Sequence, residues 1–291
     1  MQEDFKKILT LVDFSMASFH AAEEAAMIAS KFRSELHILH VSSSSRLTWI
    51  LAPEVEFFHL SGDDRSVKAQ LRRLKTELDE RFQIDIEYHE AEGKLKETVN
   101  NYIRDLQVDL VVLGAKKTNW LKELFFESKA KDIIRSVDCE VLCVYPDSNS
   151  NRIKKIVLPI GKFIPKRKIR LAYELAKKFA ANVHLISLNK NGHNLNSEDT
   201  KVLMASYQYL KDITNIPIEC RTVLGNNLAQ ATVQYAENIG ADLILVNAGA
   251  ESFFKTPILR RWAGNIVNHS SIPVLSVHAI NGKTKHNQYR A

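Results

Sequence analysis

Two pairs of adjacent basic residues are the first candidates for chemistry in this sequence: Lys116-Lys117 and Arg260-Arg261. Their side chains carry the charge and the hydrogen-bond donors that bind phosphate groups. Paired basic residues in loops usually lie in solvent, however. We therefore interpret both pairs as surface residues and keep phosphate binding as the alternative.

A histidine that recurs and a single serine are the next candidates. His37 and His184 occupy matching positions in two similar apolar runs, and this repetition favours packing over catalysis. Ser128 has no histidine or aspartate at short spacing that would activate it as a nucleophile. We therefore expect Ser128 to act as a helix N-cap.

The sequence carries none of the compact motifs of catalysis. It has no metal-ligand spacing, no Gly-x-Ser-x-Gly elbow and no Gly-x-x-x-x-Gly-Lys-Ser/Thr loop. Cys139 and Cys143 lie on one predicted strand about 13 Å apart, too far for a disulfide. We expect no catalytic centre and no metal site, and we expect these residues and Cys220 to be reduced residues of a cytoplasmic protein.

Charge and hydropathy argue against a membrane protein, a secreted protein and a nucleic-acid-binding protein. No apolar stretch approaches the ~20 residues of a membrane helix. The acidic start Met1–Asp4 does not resemble a basic signal peptide. The net charge of +6 is mild, and part of it lies in the polar tail at 283–286. Without an aromatic-rich basic groove, we expect neither a membrane nor a nucleic acid as partner.

The chain consists of two similar halves. Lys6–Ile8 returns as Lys154–Ile156, 148 positions later, and Asp109–Val112 returns as Asp242–Leu245, 133 positions later. The offset changes only where loops are expected, and a repeat of about 140 residues is too long for a solenoid unit. Each half should therefore fold around its own hydrophobic core.

Apolar runs and helical periodicity alternate within each half. The predicted strands are Ile8–Val12, Leu36–Val41, Ile84–Tyr88, Asp109–Leu113 and Val141–Tyr145, then Ile156–Ile160, Val183–Leu188, Ile218–Leu224, Asp242–Val246 and Val274–Val277. The predicted helices include Ala17–Phe32, Ser66–Phe82 and Ser128–Val137, then Ile169–Phe179, Asp199–Ile213, Leu228–Ile239 and Leu259–Val267. This order predicts two doubly wound α/β domains, each with a five-stranded, mainly parallel sheet.

The domain limits follow from composition. We predict one domain over residues 1–146 and a second over 152–280, with a polar linker at 147–151 and a basic tail at 281–291.

One segment has no counterpart in the second half. Residues 46–60 include Trp49, Phe57 and Phe58 and follow the second strand, at the edge where doubly wound sheets bind ligands. It is either a lid packed on its own domain or an anchor for a protein partner or a second chain.

The order and spacing of these blocks resemble the universal stress protein family, in its tandem form. The resemblance rests on Asp13 after the first strand, Leu39–Val41, the block Asp109–Gly114, and the block from Ala241 to Leu275. It covers almost the whole chain. It implies a fold like that of the adenine nucleotide alpha hydrolases and dimerisation through the last strand of the sheet. Because an unpaired apolar edge strand is also a liability, Val141–Tyr145 and Val274–Val277 should pair antiparallel inside the chain, as an internal pseudodimer. A homodimer also stays open.

The resemblance also implies a nucleotide cleft. Nucleotide-binding members carry Gly-x-x-Gly, nine residues, then Gly-Ser/Thr, a pattern whose backbone amides and helix N-terminus hold phosphates. In the first half, the corresponding cleft would be formed by Asp13, Val41, Gly114 and Ser128. ATP in this half is the one cofactor that the resemblance implies.

Both halves depart from that pattern. In the first half, Lys117 and Glu127 replace the second and third glycines, and a carboxylate at the start of a helix repels an anion. In the second half every element is lost, since the matching positions hold Gly161, Asn247, Ala250, Arg260 and Arg261. We expect no family-type ATP binding there.

Two functions remain in view. The first is a non-enzymatic tandem universal stress protein that acts by binding, as a regulatory or protective factor. The second is an ATP-binding stress protein with its site in the first half only and with slow ATP hydrolysis.

Overall fold

The strands and helices expected in the first half are present over the part of the chain that the structure covers. The structure, a computed structural model, describes residues 5–42, 66–115, 137–146, 152–189, 198–225, 227–248 and 272–278. The first-half strands are β1 (Lys7–Leu11), β2 (Glu35–Ser42), β3 (Ile86–Glu92), β4 (Leu110–Gly114) and β5 (Glu140–Val144). The helices are α1 (Met16–Phe32), α2 (Val67–Phe82) and α3 (Leu95–Leu106).

The second half repeats this order. Its strands are β6 (Lys155–Pro159), β7 (Asn182–Asn189), β8 (Ile218–Leu224), β9 (Leu243–Ala248) and β10 (Val274–His278). Its helices are α4 (Lys166–Phe179), α5 (Glu198–Ile213) and α6 (Leu228–Ile239). The alternation of strand and helix therefore gives the predicted α/β class in both halves.

All ten strands form one sheet. Their order is β3-β2-β1-β4-β5-β10-β9-β6-β7-β8, and all neighbours are parallel except β5 and β10. Cys143 faces Val274 and Val141 faces Ser276 across that antiparallel pair. The antiparallel pairing predicted for the two last strands is thus present, and it joins two five-stranded parallel sheets at their edges.

Helices cover both faces of the sheet. One apolar cluster combines strand residues with α1, α2, α4 and α5, and a second lies under α3 and α6. Strands such as Leu110–Gly114 and Glu140–Val144 are buried at nearly every position because both faces are covered. This burial on both faces explains the uninterrupted apolar runs in the sequence.

The boundaries differ from the prediction where tertiary pairing decides them. The strand predicted over Ile84–Tyr88 lies over Ile86–Glu92. It extends further because β2 continues to Ser42 and pairs with β3 up to Glu92. Other predictions lie outside the described residues: most of the helix Ser128–Val137, the helix Leu259–Val267, the segment 46–60 and the tail 281–291.

Polar contacts connect the two halves beside the β5–β10 pair. The Arg167 guanidinium of α4 donates a hydrogen bond to the Glu140 carboxylate, whose side chain is only 5% exposed. The Lys178 ammonium lies 5.3 Å from the centre of the Phe32 ring. The first of these contacts neutralises a carboxylate that the sheet has removed from water.

No helix in the described ranges is long and apolar enough to cross a bilayer.

We predict that Arg167→Ala lowers the free energy of unfolding by about 3 kcal/mol, because it removes a cation that pairs with the buried Glu140 carboxylate. Arg81→Ala is the matched control, since Arg81 pairs with Glu23 at 2.6 Å on an exposed surface. The loss of unfolding free energy in Arg81→Ala should stay below about 1 kcal/mol. Urea unfolding followed by circular dichroism measures both, and equal losses would contradict the importance of the buried pair.

Candidate functional site

The crevice of the first half opens between the carboxyl ends of β1 and β4. α1, which follows β1, and α3, which precedes β4, pack on opposite faces of the sheet. The strand order reverses here, because the chain builds β2 and β3 on one side of β1 and then places β4 on the other side. Doubly wound sheets bind ligands at such a point. The ligand cleft implied by the resemblance is therefore expected here.

The strand registers bring three of the four predicted site residues to this edge. Leu11 pairs with Leu39, so Asp13 is level with Val41 two residues further on. Thr10 pairs with Val112, which places Gly114 level with the residue before Asp13. The fourth predicted residue, Ser128, lies outside the described residues.

Asp13 organises the turn between β1 and α1. Its carboxylate Oδ1 accepts hydrogen bonds from the Ser15 backbone N–H at 3.1 Å and from the Ser15 hydroxyl at 2.6 Å. Ser15 in turn is the N-cap of α1 and accepts from the Ser18 N–H. The acidic residue at the end of the first strand therefore supports the start of a helix.

An unusual backbone conformation follows Asp13. Phe14 has φ of 63°, in the left-handed region where a bulky residue costs about 1–2 kcal/mol. Aromatic contacts hold it: the Phe14 ring centre lies 4.9 Å from that of His40 and 6.3 Å from that of Phe19. His40 is fixed because its Nδ1–H donates to the Val12 carbonyl at 2.8 Å.

Gly114 allows α1 to approach the end of β4. A Cβ at this position would lie 2.3 Å from the Ala17 carbonyl oxygen and 2.9 Å from the Ser18 nitrogen. Both atoms belong to the helix backbone and have little freedom to move. Close packing against α1 therefore requires glycine at this position, whether or not a phosphate binds.

The second-half crevice is built differently. Gly161 stands where the first half has Asp13, and Asn247 stands at the position of Gly114. Helix α4 begins after Pro165 without a side-chain cap. The remaining substituted motif positions lie outside the described residues: Lys117 and Glu127 in the first half, and Ala250, Arg260 and Arg261 in the second. Lys116 lies outside them too.

A buried lysine replaces this capping arrangement, and the sequence did not single it out. Lys168, in the first turn of α4, is 1% exposed, and its ammonium donates to the Pro159 carbonyl at 2.6 Å. Pro159 is the last residue of β6. The second half thus places a cation at the strand end where the first half places a carboxylate.

The two recurring histidines lie on the opposite face of the sheet, under α3 and α6. His37 Nδ1 lies 3.1 Å from His89 Nε2, and His184 Nδ1 lies 3.1 Å from the Tyr235 hydroxyl. Burial, the main cause, lowers the pKa of all three imidazoles, so they are neutral near pH 7. His37 and His184 are buried, as a packing role requires, but each also faces polar partners.

The partners of these histidines could not be recognised from the sequence, because they lie on other elements of the fold. Glu87 and His89 are two residues apart on β3, so their side chains share one face. Glu219 lies 3.7 Å from His184 at the matching position of the second half. A signal was nevertheless present in the sequence, because His37 and Glu87 of the first half recur as His184 and Glu219 in the second.

Fold and crevice together define a tandem pair of nucleotide-hydrolase-like α/β domains. The sequence model of the universal stress protein family matches residues 4–145 and again residues 152–278. The chain therefore belongs to the universal stress protein family, with two family domains in tandem.

Single-domain relatives match one half of the chain. The universal stress protein YxiE of Bacillus subtilis is 26% identical over 146 residues, which cover 48% of this chain and 99% of the relative. A universal stress protein of Methanocaldococcus jannaschii is 25% identical over 142 residues, 48% of this chain and 82% of the relative.

Solved structures match nearly the whole chain. A universal stress protein from Archaeoglobus fulgidus superimposes with a TM-score of 0.66 and 16% identity, covering 94% of this chain and 98% of that one. A functionally unknown protein from Pseudomonas aeruginosa gives 0.61 and 16%, covering 95% and 93%. At such identity the likeness is evidence for the fold alone.

We predict that Gly114→Ala destabilises the protein by about 1–3 kcal/mol, because the new methyl group overlaps the backbone of α1. Gly225→Ala is the matched control, since its methyl group would meet side-chain atoms of Ala231 and Leu188 at an ordinary 3.4 Å. Its effect should stay within about 0.5 kcal/mol. Urea unfolding curves compare the two, and a harmless Gly114→Ala would contradict the packing role of this glycine.

Proposed function

We propose that this tandem universal stress protein is not an enzyme and acts by binding, as a stress-linked regulatory or protective factor, without the family nucleotide in its first-half crevice. The observation that carries this proposal is that the retained motif residues have structural roles within the first half. Asp13 caps the β1–α1 turn through Ser15, and Gly114 admits the backbone of Ala17. Their presence therefore needs no ligand to explain it.

The substituted positions support the same proposal. The residues that would face phosphates include Lys117 and Glu127 where the motif has glycine. A side chain at either position limits close approach of the backbone. The Glu127 carboxylate also repels an anion from the helix end that would otherwise attract it.

The cysteines support a non-enzymatic role and a reducing compartment. All three are free thiols. Burial raises the pKa of Cys143 to about 12 and raises the pKa of Cys139 still further, so neither supplies a thiolate near pH 7. We include a cytoplasmic location in the proposal, since free thiols are typical of reduced compartments.

The second candidate is a nucleotide site confined to the first half, with slow ATP hydrolysis. One observation favours it: Asp13 is exposed at the crevice and level with Val41, with Gly114 on the other side. A nucleoside could contact this edge while the phosphates follow the β4 end. Such binding would give one ligand per chain.

A protein partner or a second copy of the chain remains part of the proposal. The segment 46–60, with Trp49, Phe57 and Phe58, is the candidate contact, because aromatic side chains dominate binding interfaces. The segment lies outside the described residues, so its assignment rests on the sequence.

Isothermal titration of the full chain with ATP and Mg²⁺ decides between the two candidates. We predict no saturable binding at micromolar ATP. Micromolar binding that Asp13→Ala abolishes would overturn the proposal. Asp13→Asn is the matched control for folding, because its side-chain oxygen still accepts the Ser15 hydrogen bonds while the charge is lost.

The double variant Lys117→Gly with Glu127→Gly tests whether the substituted motif is the obstacle. It should strengthen ATP binding in the first half, because it restores backbone access and removes a repelling charge. Titration gives the stoichiometry, which should be one ATP per chain. Nucleotide in the second-half crevice with an empty first half would reverse the assignment of the two halves.

A further inference from the structure

The face of the sheet under α3 carries a cluster of two histidines and a glutamate on neighbouring strands. His37 pairs with Glu87 in the register of β2 and β3, and His89 follows two residues after Glu87. The three side chains therefore point to the same face. None of these residues belongs to the β1–β4 crevice.

We propose that His37, Glu87 and His89 form a binding site for a divalent transition-metal ion such as Zn²⁺. The atoms that would bind the ion are His37 Nδ1, His89 Nε2 and Glu87 Oε2, and they lie within 4.8 Å of one another. Imidazole and carboxylate together are ligands that zinc accepts.

The separations of these atoms fit one ion. His37 Nδ1 lies 3.1 Å from His89 Nε2, and Glu87 Oε2 lies 3.6 Å and 3.9 Å from these two nitrogens. A point roughly 2.1 Å from all three atoms exists for a triangle with these sides, and zinc bonds to nitrogen and oxygen are about 2.0–2.2 Å long. The three separations thus suit one ion, which would replace the hydrogen bond between the two rings as each nitrogen turns toward it.

The two imidazole rings share a hydrogen bond through the nitrogens that face each other. One of the two facing nitrogens now carries the proton that they share. Metal binding moves this proton to the far nitrogen of its ring, which leaves His37 protonated at Nε2 and His89 at Nδ1.

A carboxylate lies behind the first histidine. His37 Nε2 is buried without a hydrogen-bond partner, and Glu35 Oε2 lies 3.8 Å from it. The same oxygen lies 3.3 Å from the Lys7 ammonium. A small movement of the Glu35 side chain from Lys7 toward the ring would let it accept the Nε2–H. Such a carboxylate behind a ligating histidine fixes its tautomer and strengthens the metal bond.

The cluster has a closed side and an open side. The His37 side chain is 3% exposed and that of His89 is 21% exposed, whereas the Glu87 side chain is 70% exposed. An ion can therefore enter along Glu87. Three protein ligands leave a fourth position for water or for a group from another molecule.

The second half provides a natural comparison. It repeats the histidine as His184 and the acid as Glu219, but Arg221 stands at the position of His89. The Arg221 Nε lies 3.4 Å from Glu219 Oε2, so the acid of the second half already pairs with a permanent cation. There the Tyr235 hydroxyl meets His184 Nδ1. We therefore expect one ion per chain, in the first half.

The test is Zn²⁺ titration of the untagged full chain in competition with a chromophoric chelator. We expect one Zn²⁺ per chain. His89→Arg, which copies the second half, should weaken binding at least about 100-fold, and Glu35→Gln about tenfold. His20→Gln is the control: His20 also lies near a carboxylate, that of Glu23 at 3.8 Å, and its loss should change nothing.

Two further measurements keep the test decisive if a variant folds poorly. Arg221→His combined with Tyr235→Phe should raise the stoichiometry to two ions per chain, because the pair of changes supplies the missing histidine and frees His184 Nδ1 from the Tyr235 hydroxyl. Co²⁺ bound to the wild type should show the visible absorption of tetrahedral coordination. Absence of Zn²⁺ binding, or binding that survives His89→Arg, would overturn the proposed site, and an unchanged stoichiometry in the double variant would overturn the ligand set given to it.

Discussion

The antiparallel pairing of β5 with β10 is the constraint on which the rest of the structure depends. Each half alone would end in an apolar edge strand, and such edges invite uncontrolled pairing. Joining them buries Val141, Cys143 and Val274 completely. It also brings α1 beside α4 and places Glu140 where Arg167 must neutralise it.

The same pairing separates the two crevices and leaves each half free to change. Because one strand at the junction runs against the other, the carboxyl ends of the two parallel sheets point in opposite directions. A substitution in one crevice then has no direct steric effect on the other. This separation accounts physically for a first half that keeps Asp13 and Gly114 beside a second half that has Gly161 and Asn247.

Much of the fold was predictable from the sequence because local patterns and the repeat agreed. The alternation of strands with helices and the parallel order follow from the apolar runs. The pairing of the last strands follows from the family resemblance together with the instability of an unpaired apolar edge. The limits of β3 were not predictable, because the length of β2 sets them. Local periodicity carries no information about a partner strand.

The candidate site was only partly predictable. The register brings Asp13, Val41 and Gly114 to one edge, as the resemblance implied. Their local roles were hidden, because the motif cannot reveal that Gly114 touches the backbone of a helix. His37 was interpreted as a packing residue, since the partners that give it chemical meaning come from a strand about fifty positions later.

Segment-resolved hydrogen exchange of the intact chain tests most directly whether the β5–β10 pair makes one cooperative body. The account predicts that the amides of β5 and β10 are among the slowest to exchange, and that β1 and β6 exchange at the same rate in rising urea. Early exchange of β5 and β10, or loss of protection in one half while the other stays protected, would contradict it.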